Sequence, residues 1–170
     1  MPEPVRLVAE RLSAEAFAPF GHVVTAPPLP RGRVHFGDHI ENARPHARAN
    51  FSIVTVMPLE TLPLTVTKLE RHQFSSQSFI PIDNGGGKLV IVAPNRAGPD
   101  LTAIRAFVTL PTEGIIYRPN IWHHGLTLLD RPGSQAVLMW CDGTTGDEEF
   151  VDVPTFTVEV PPALRAVHGG

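Results

Sequence analysis

Hydrophobic and polar residues alternate with period two along most of this chain, in short runs. Phe51–Met57, Leu64–Leu69, Ser78–Ile82, Lys88–Ala93, Ala106–Leu110, Gly114–Tyr117, Gly125–Leu129, Gln135–Cys141, Glu149–Val153 and Thr155–Val160 each read as a strand. Successive side chains of a strand point to opposite faces, so this alternation marks sheets with a buried side. Residues 5–9 predict a weaker first strand, and Val23-Val24-Thr25 resumes extended chain. Asp83-Asn84-Gly85-Gly86-Gly87 is a strong turn signal and predicts a hairpin over Phe79–Ala93. One short helix is predicted from Ser13, whose hydroxyl can accept from a free first-turn amide, with Gly21 placed to stop it. Pro99-Asp100-Leu101 opens one further helical turn.

Residues 26–50 break the pattern. Pro27, Pro28, Pro30, Gly32, Gly37 and Pro45, mixed with four arginines and three histidines, predict a long irregular arm or lid. About ten strands against one or two short helices make the chain all-β, a barrel or a sandwich, and residues 1–170 are read as a single domain.

Composition narrows this. The 18 prolines and 14 glycines are spread between the apolar runs, as in a many-stranded domain. With 42% hydrophobic and 18% charged residues, the chain is globular rather than disordered. A formal net charge of -3 gives no electrostatic case for a nucleic-acid partner. No apolar run reaches the ~18 residues a membrane span needs. The first twenty residues carry charges and lack the apolar stretch of an export signal, so a cytoplasmic location is expected. The lone Cys141 excludes an internal disulfide and a cysteine-based zinc cluster, and is expected to be a buried small hydrophobe.

Two polar clusters interrupt the apolar strands. Glu70 and His72 are two apart on a strand-like run and share a face, with Leu69 and Arg71 on the other. Gln77 follows a polar corner, Gln73–Ser76, that can fold its amide back toward them. Some fifty residues on comes Tyr117-Arg118-Pro119-Asn120-Ile121-Trp122-His123-His124. Consecutive rings on a strand face opposite sides, so one histidine of the pair is expected in a pocket; His123 is preferred, with Trp122 and His124 on the outer face. His72, His123, Glu70 and Gln77 together predict a mixed nitrogen–oxygen site for a borderline divalent metal. Tyr117 and Arg118 flank the same turn, where a guanidinium can grip an anionic substrate. The bland alternatives stand beside this: a solvated strand face for Glu70 and His72, a packed histidine, a surface arginine. His35, His39, His46 and Arg48 lie in the arm and are expected to be solvated.

The ordered set Leu69-Glu70-Arg71-His72, Gln77-Ser78-Phe79-Ile80-Pro81, Pro99-Asp100-Leu101, Arg105-Ala106-Phe107 and Tyr117 through His124 resembles the ureidoglycolate lyase (ureidoglycolate hydrolase) family. The opening Leu12-Ser13, Ala16-Phe17 and Phe20-Gly21-His22-Val23-Val24 is similar too, so the likeness runs from about residue 7 to 155. It implies a cupin-type, jelly-roll-like antiparallel β-barrel, usually a homodimer, that cleaves ureidoglycolate to glyoxylate and urea in allantoin and purine catabolism. It implies a divalent metal, nickel first, with zinc, manganese or iron as alternatives. Glu70, His72 and Gln77 fall where cupins place two histidines and a glutamate, and His123 where they place the later histidine. Arginines that the family carries are missing: apolar Val54–Met57 and Trp140-Cys141-Asp142 stand in their places, and Gly125 replaces a proline. Where it does not ligate the metal, Glu70 is expected to be the general base, with a pKa raised by its apolar barrel. His124 or Tyr117 would supply the proton, and Arg71, Arg118 and Gln77 would bind substrate. A cupin that senses or acts on a different small carboxylate, or a metal-dependent oxygenase, remains the alternative.

Overall fold

A computed structural model describes residues 5–165. In chain order the elements are β1 (Arg6–Val8), β2 (Glu10–Arg11), α1 (Ala14–Phe17), β3 (Gly21–Val24), β4 (Arg48–Val56), β5 (Leu64–His72), β6 (Gln77–Pro81), β7 (Leu89–Ala93), β8 (Arg105–Val108), β9 (Gly114–Tyr117), β10 (Trp122–His123), β11 (Gly133–Cys141) and β12 (Glu148–Glu159). Single 3-10 turns lie at Gly37–His39, Leu101–Ala103 and Pro162–Leu164. Ser13 caps α1 by accepting from Ala16 N at 3.1 Å. The helix closes at Ala18 rather than Gly21, which instead opens β3.

The strands form two sheets. One runs β1-β12-β5-β10-β7-β8-β2 and the other β3-β9-β6-β11-β4. All pairings are antiparallel except β1 with β12 and β2 with β8. Those two exceptions join the edges of the seven-stranded sheet: the segment 6–11 pairs with β12 at one end and β8 at the other, so the sheet curls almost into a closed barrel. The expected all-β, cupin-type barrel is the observed class.

Alternation along β7 shows how the core divides. Leu89, Ile91 and Ala93 join Trp122, Leu69, Val66 and Phe156 in a cluster inside the curled sheet. Val90 and Val92 point the other way, onto Phe79, Ile115, Tyr117 and Val137 of the second sheet. Both faces of β7 are therefore buried, which is why its sequence reads as a continuous apolar run. Inter-sheet packing leaves the polar residues of β5, β6 and β10 facing each other at one end.

Several local expectations are corrected. β6 and β7 do not form a hairpin: β6 pairs with β9 and β11, whereas β7 pairs with β10 and β8. The glycine run between them is a crossover between sheets. Its glycines serve close packing, since a Cβ on Gly86 would sit 1.8 Å from Leu129 O. Residues 125–129 hold only isolated bridges at Leu128, and the strand there is the two-residue β10. The two runs 149–153 and 155–160 merge into β12, with a register shift between Asp152 and Phe156. Cys141 is exposed at the end of β11.

Candidate active site

Sheet register builds the site. His123 lies opposite Glu70 on one side and Val92 on the other, which places three polar groups, Glu70, His72 and His123, on adjacent strands. Gln77 lies opposite Tyr117 in the second sheet. The corner 73–76 carries the chain from one sheet to the other, so Gln77 arrives across the gap from His123.

The side chains meet there. His123 Nε2 is 3.1 Å from Gln77 Oε1 and 3.5 Å from Glu70 Oε1, and its Nδ1 donates to Ile121 O at 3.0 Å. With Nδ1–H given to a carbonyl, Nε2 faces two acceptor oxygens. That electron-rich trio calls for a cation between its members, a proton or a bound ion. Tyr117 stacks on the His123 ring with centroids 4.1 Å apart, and the His72 and His123 rings lie 6.1 Å apart, 19° from parallel. The two distant histidine stretches therefore meet, their rings buried side by side.

His72 is 3% exposed. Its Nδ1 lies 3.5 Å from Asp147 Oδ2, within ion-pair range but without a formed hydrogen bond, so neither ring nitrogen has a hydrogen-bond partner. Burial and the His123 charge hold its pKa below the ordinary value, against the opposing pull of Asp147 and Glu70. A neutral imidazole with an available lone pair results. Glu70 departs from the expectation of a raised pKa. Burial pushes its carboxyl up, but the hydrogen bond and charge of His123, with His72 and His124, bring it net below the usual carboxylate value. Glu70 is thus ionised at neutral pH. Burial, and then the Glu70 charge, push the Tyr117 phenol well up, so it keeps its proton.

His124 is also on the Glu70 side, contrary to the rule that separates consecutive rings. β10 ends at His123, so strand alternation no longer governs the next residue. Its Nδ1 lies 3.1 Å from Gly125 O and 3.2 Å from Thr127 Oγ1. Donation to the carbonyl leaves Nε2 as an acceptor. Burial lowers its pKa, opposed by the Gly125 hydrogen bond and the Glu70 charge. Lys68, Glu70, His124, Gly125, Leu126 and Phe150 line a cleft of about 240 Å³.

The predicted arginines are elsewhere. Arg71 turns to the opposite strand face, bonds Glu149 Oε2 through Nε (2.8 Å) and Nη2 (2.6 Å), bonds Asn120, and lies 4.6 Å over the Trp122 ring. Arg118 is exposed and donates from Nε to Ala18 O at 3.2 Å. Neither lines the Glu70–His124 cleft. The cation lining the cleft is Lys68, missed although it sits two residues before Glu70 on the same strand face. Its Nζ is 3.8 Å from Asp152 Oδ1 and its side chain is 60% exposed, so it is free to turn inward.

Asp147 was also missed, because Asp142–Asp147 reads as an exposed turn. It is buried, accepts from Phe74 N at 2.6 Å and from Ser75 Oγ, and faces Arg44 Nη2 at 3.4 Å. Arg44 also donates to Trp140 O at 2.9 Å. The arm lies along this corner: Ala43 N donates to Phe74 O and Ser76 N to Glu41 O, at 2.8 and 2.9 Å. His39, from the same arm, stacks on His22 at 3.5 Å, away from the cleft.

Among the described residues no three His, Cys, Asp or Glu side chains form a ready-made ion site. His123 meets Glu70 and Gln77 directly, and the His72 ring lies beside it at 6.1 Å between centroids.

Similarity to known proteins agrees with this geometry. The ureidoglycolate lyase family model matches residues 4–160. A ureidoglycolate lyase of Pseudomonas fluorescens (strain SBW25) is 37% identical over 155 residues, 86% of this chain and 92% of that protein. One of Mesorhizobium japonicum is 37% identical over 166 residues, 92% and 99% of the two chains. One of Chelativorans sp. (strain BNC1) is 35% identical over 167 residues, 92% and 98%. A chain matched along nearly its whole length by the family model and by relatives 37% identical to it belongs to the ureidoglycolate lyase family.

Proposed function

We propose that this protein cleaves ureidoglycolate to glyoxylate and urea in the Glu70–His124 cleft. The observation that carries this is an ionised carboxylate, Glu70, held against His123 and open to a cleft that also presents Lys68. Ureidoglycolate carries a hydroxyl and a ureido nitrogen on one carbon, next to a carboxylate. Lys68 Nζ anchors that carboxylate. Glu70 removes the hydroxyl proton; the oxygen's electron pair becomes the second bond of the glyoxylate carbonyl as the carbon–nitrogen bond breaks. The electrons of that bond go to the departing nitrogen, which takes the proton back from Glu70 and leaves as urea. His124 Nε2, unprotonated, orients the substrate as an acceptor rather than supplying the proton. Tyr117 walls the cavity and fixes the His123 ring.

A divalent ion, nickel first, would be held by His72, His123 and Gln77, leaving Glu70 free as the base, and would polarise the hydroxyl oxygen and ease its deprotonation. Two features support it: His123 Nε2 facing two acceptor oxygens, and the partnerless nitrogens of buried His72. Elemental analysis of the wild type and His72→Ala tests it, with the ion expected in the first only.

A homodimer fits the outer face of the second sheet. β4 is its edge, eight of its nine residues are exposed, and Phe51 and Ile53 on it are 68% and 61% exposed. An apolar groove bounded by Phe51, Ile80, Ile116 and Leu138 adjoins them. An unpaired apolar edge invites a second copy. Sedimentation velocity on the wild type and Ile53→Asp reads this out.

The lyase reading predicts equimolar urea and glyoxylate from ureidoglycolate without oxygen, and loss of both in His123→Ala. A requirement for oxygen, or full turnover in that variant, would remove it.

A further inference from the structure

A second cavity lies at the opposite end of β7 from His123. It is about 260 Å³ in volume, and Arg11, Arg131 and Arg165 line it together with Asp130. Its remaining walls include Val108, Leu110, Leu129 and Leu164. Of the three guanidinium groups, Arg165 is engaged with Asp130 Oδ1, through Nε at 2.7 Å and Nη2 at 2.5 Å. Arg11 donates only from Nη1, to Val108 O at 3.2 Å. The Arg131 side chain makes no hydrogen bond or ion pair among the described residues. Three positive groups against one carboxylate leave the cavity with an excess of positive charge, in a chain whose formal net charge is -3. The arginines are brought there by three separate parts of the fold: β2, the 129–131 turn and the end of the Pro162–Leu164 turn. Among the described residues no second acid in the lining relieves their mutual repulsion. The three guanidinium groups are exposed at the cavity, where their summed positive potential draws an anion in.

We propose that this cavity is a binding site for a small oxyanion, a carboxylate or phosphate, gripped by Arg11 and Arg131. Guanidinium forks match the paired oxygens of either group. The ligand bridges β2 to the 129–131 turn beside the C-terminal 3-10 turn, at a place that contributes no residue to the catalytic cleft.

Titration calorimetry with inorganic phosphate and, separately, oxalate tests this on the wild-type protein, on Arg131→Ala, on Arg11→Ala/Arg131→Ala and on Lys68→Ala. Saturable one-site binding of at least one anion is expected. Arg131→Ala should weaken it about tenfold and the double variant abolish it, while Lys68→Ala keeps it. Arg131 is exposed and unpaired, so its replacement leaves the fold intact. Phosphate preferred over oxalate identifies the tetrahedral ligand, and the reverse order a dicarboxylate; either supports the site. No binding of either anion at 10-millimolar order, near the weakest affinity such a pair would give, overturns it. So does binding that Arg131→Ala leaves unchanged or Lys68→Ala removes.

Discussion

Replacing Asp147 with Ala should release the corner that sets Gln77 opposite His123. The carboxylate accepts from Phe74 N at 2.6 Å and from Ser75 Oγ, and stands 3.4 Å from Arg44 Nη2 and 3.5 Å from His72 Nδ1. Hydrogen bonds to a charged group contribute about 1.5–3 kcal/mol each, though not additively. Removing one member of a buried ion pair costs about 3–5 kcal/mol, because the partner charge stays buried alone. Arg44 is that partner, 14% exposed at its side chain, with Asp142 at 3.0 Å as a second carboxylate. Because Asp142 remains, the lower end, about 3 kcal/mol, is expected for Asp147→Ala. Asp147→Asn keeps the shape and one acceptor for Phe74 N, so about 1–2 kcal/mol is expected. Urea unfolding followed by the fluorescence of the two tryptophans measures both. Ureidoglycolate turnover should fall in the same order, since the corner positions Gln77. An Asp147→Ala protein within about 0.5 kcal/mol of wild type, the range of an ordinary surface change, would refute the view that this carboxylate braces the site.

Lys68→Ala should raise KM for ureidoglycolate about tenfold, the loss of one charge-assisted contact, with a smaller change in kcat; an unchanged KM would free Lys68 from its assigned role. Lys88 is buried between the sheets, donating to Glu113 O at 2.7 Å and Gln135 Oε1 at 3.3 Å, and burial pushes its pKa down to about 8, partly offset by the Glu113 charge. The unfolded chain, with an ordinary lysine near 10.5, then binds more protons than the folded one between about pH 8 and 10.5. Stability from this group therefore rises with pH across that window, by about 2 kcal/mol from pH 8 to 10, and the rise should be missing from the stability curve of Lys88→Met. Gly86→Ala places a methyl 1.8 Å from Leu129 O, a backbone clash, and should cost about 3 kcal/mol or more; a wild-type unfolding midpoint would show that the crossover relaxes freely.

The strands were legible because period-two alternation is a local property of a half-buried sheet. Leu64–Leu69, Gly114–Tyr117 and Gln135–Cys141 carry it clearly, and each lies within or forms an observed strand. Pairing partners were not legible. Asp83–Gly87 has the composition of a hairpin turn, yet Gly85 and Gly86 are there to let residues 129–133 approach, and Gly87 to let Thr109 approach, demands set by chain far away in sequence. Glu70 and His72 were readable as neighbours on one face from spacing alone. The same rule applied two residues earlier would have found Lys68. It failed at His124, because β10 is two residues long and the extended backbone ends before that position. The pKa of Glu70 was misjudged because burial was weighed without the three imidazoles that surround it. Asp147 was invisible because nothing in a glycine- and threonine-rich turn says that one of its acids is buried against a distant corner.

The most direct measurement is the steady-state rate of urea release from ureidoglycolate by the wild type and by Glu70→Gln, with glyoxylate binding followed in parallel. Removal of the base should lower kcat by about 10²–10⁴-fold and leave glyoxylate bound, since Lys68 holds the carboxylate. Urea release by Glu70→Gln at the wild-type rate would contradict the assignment of proton transfer to this carboxylate.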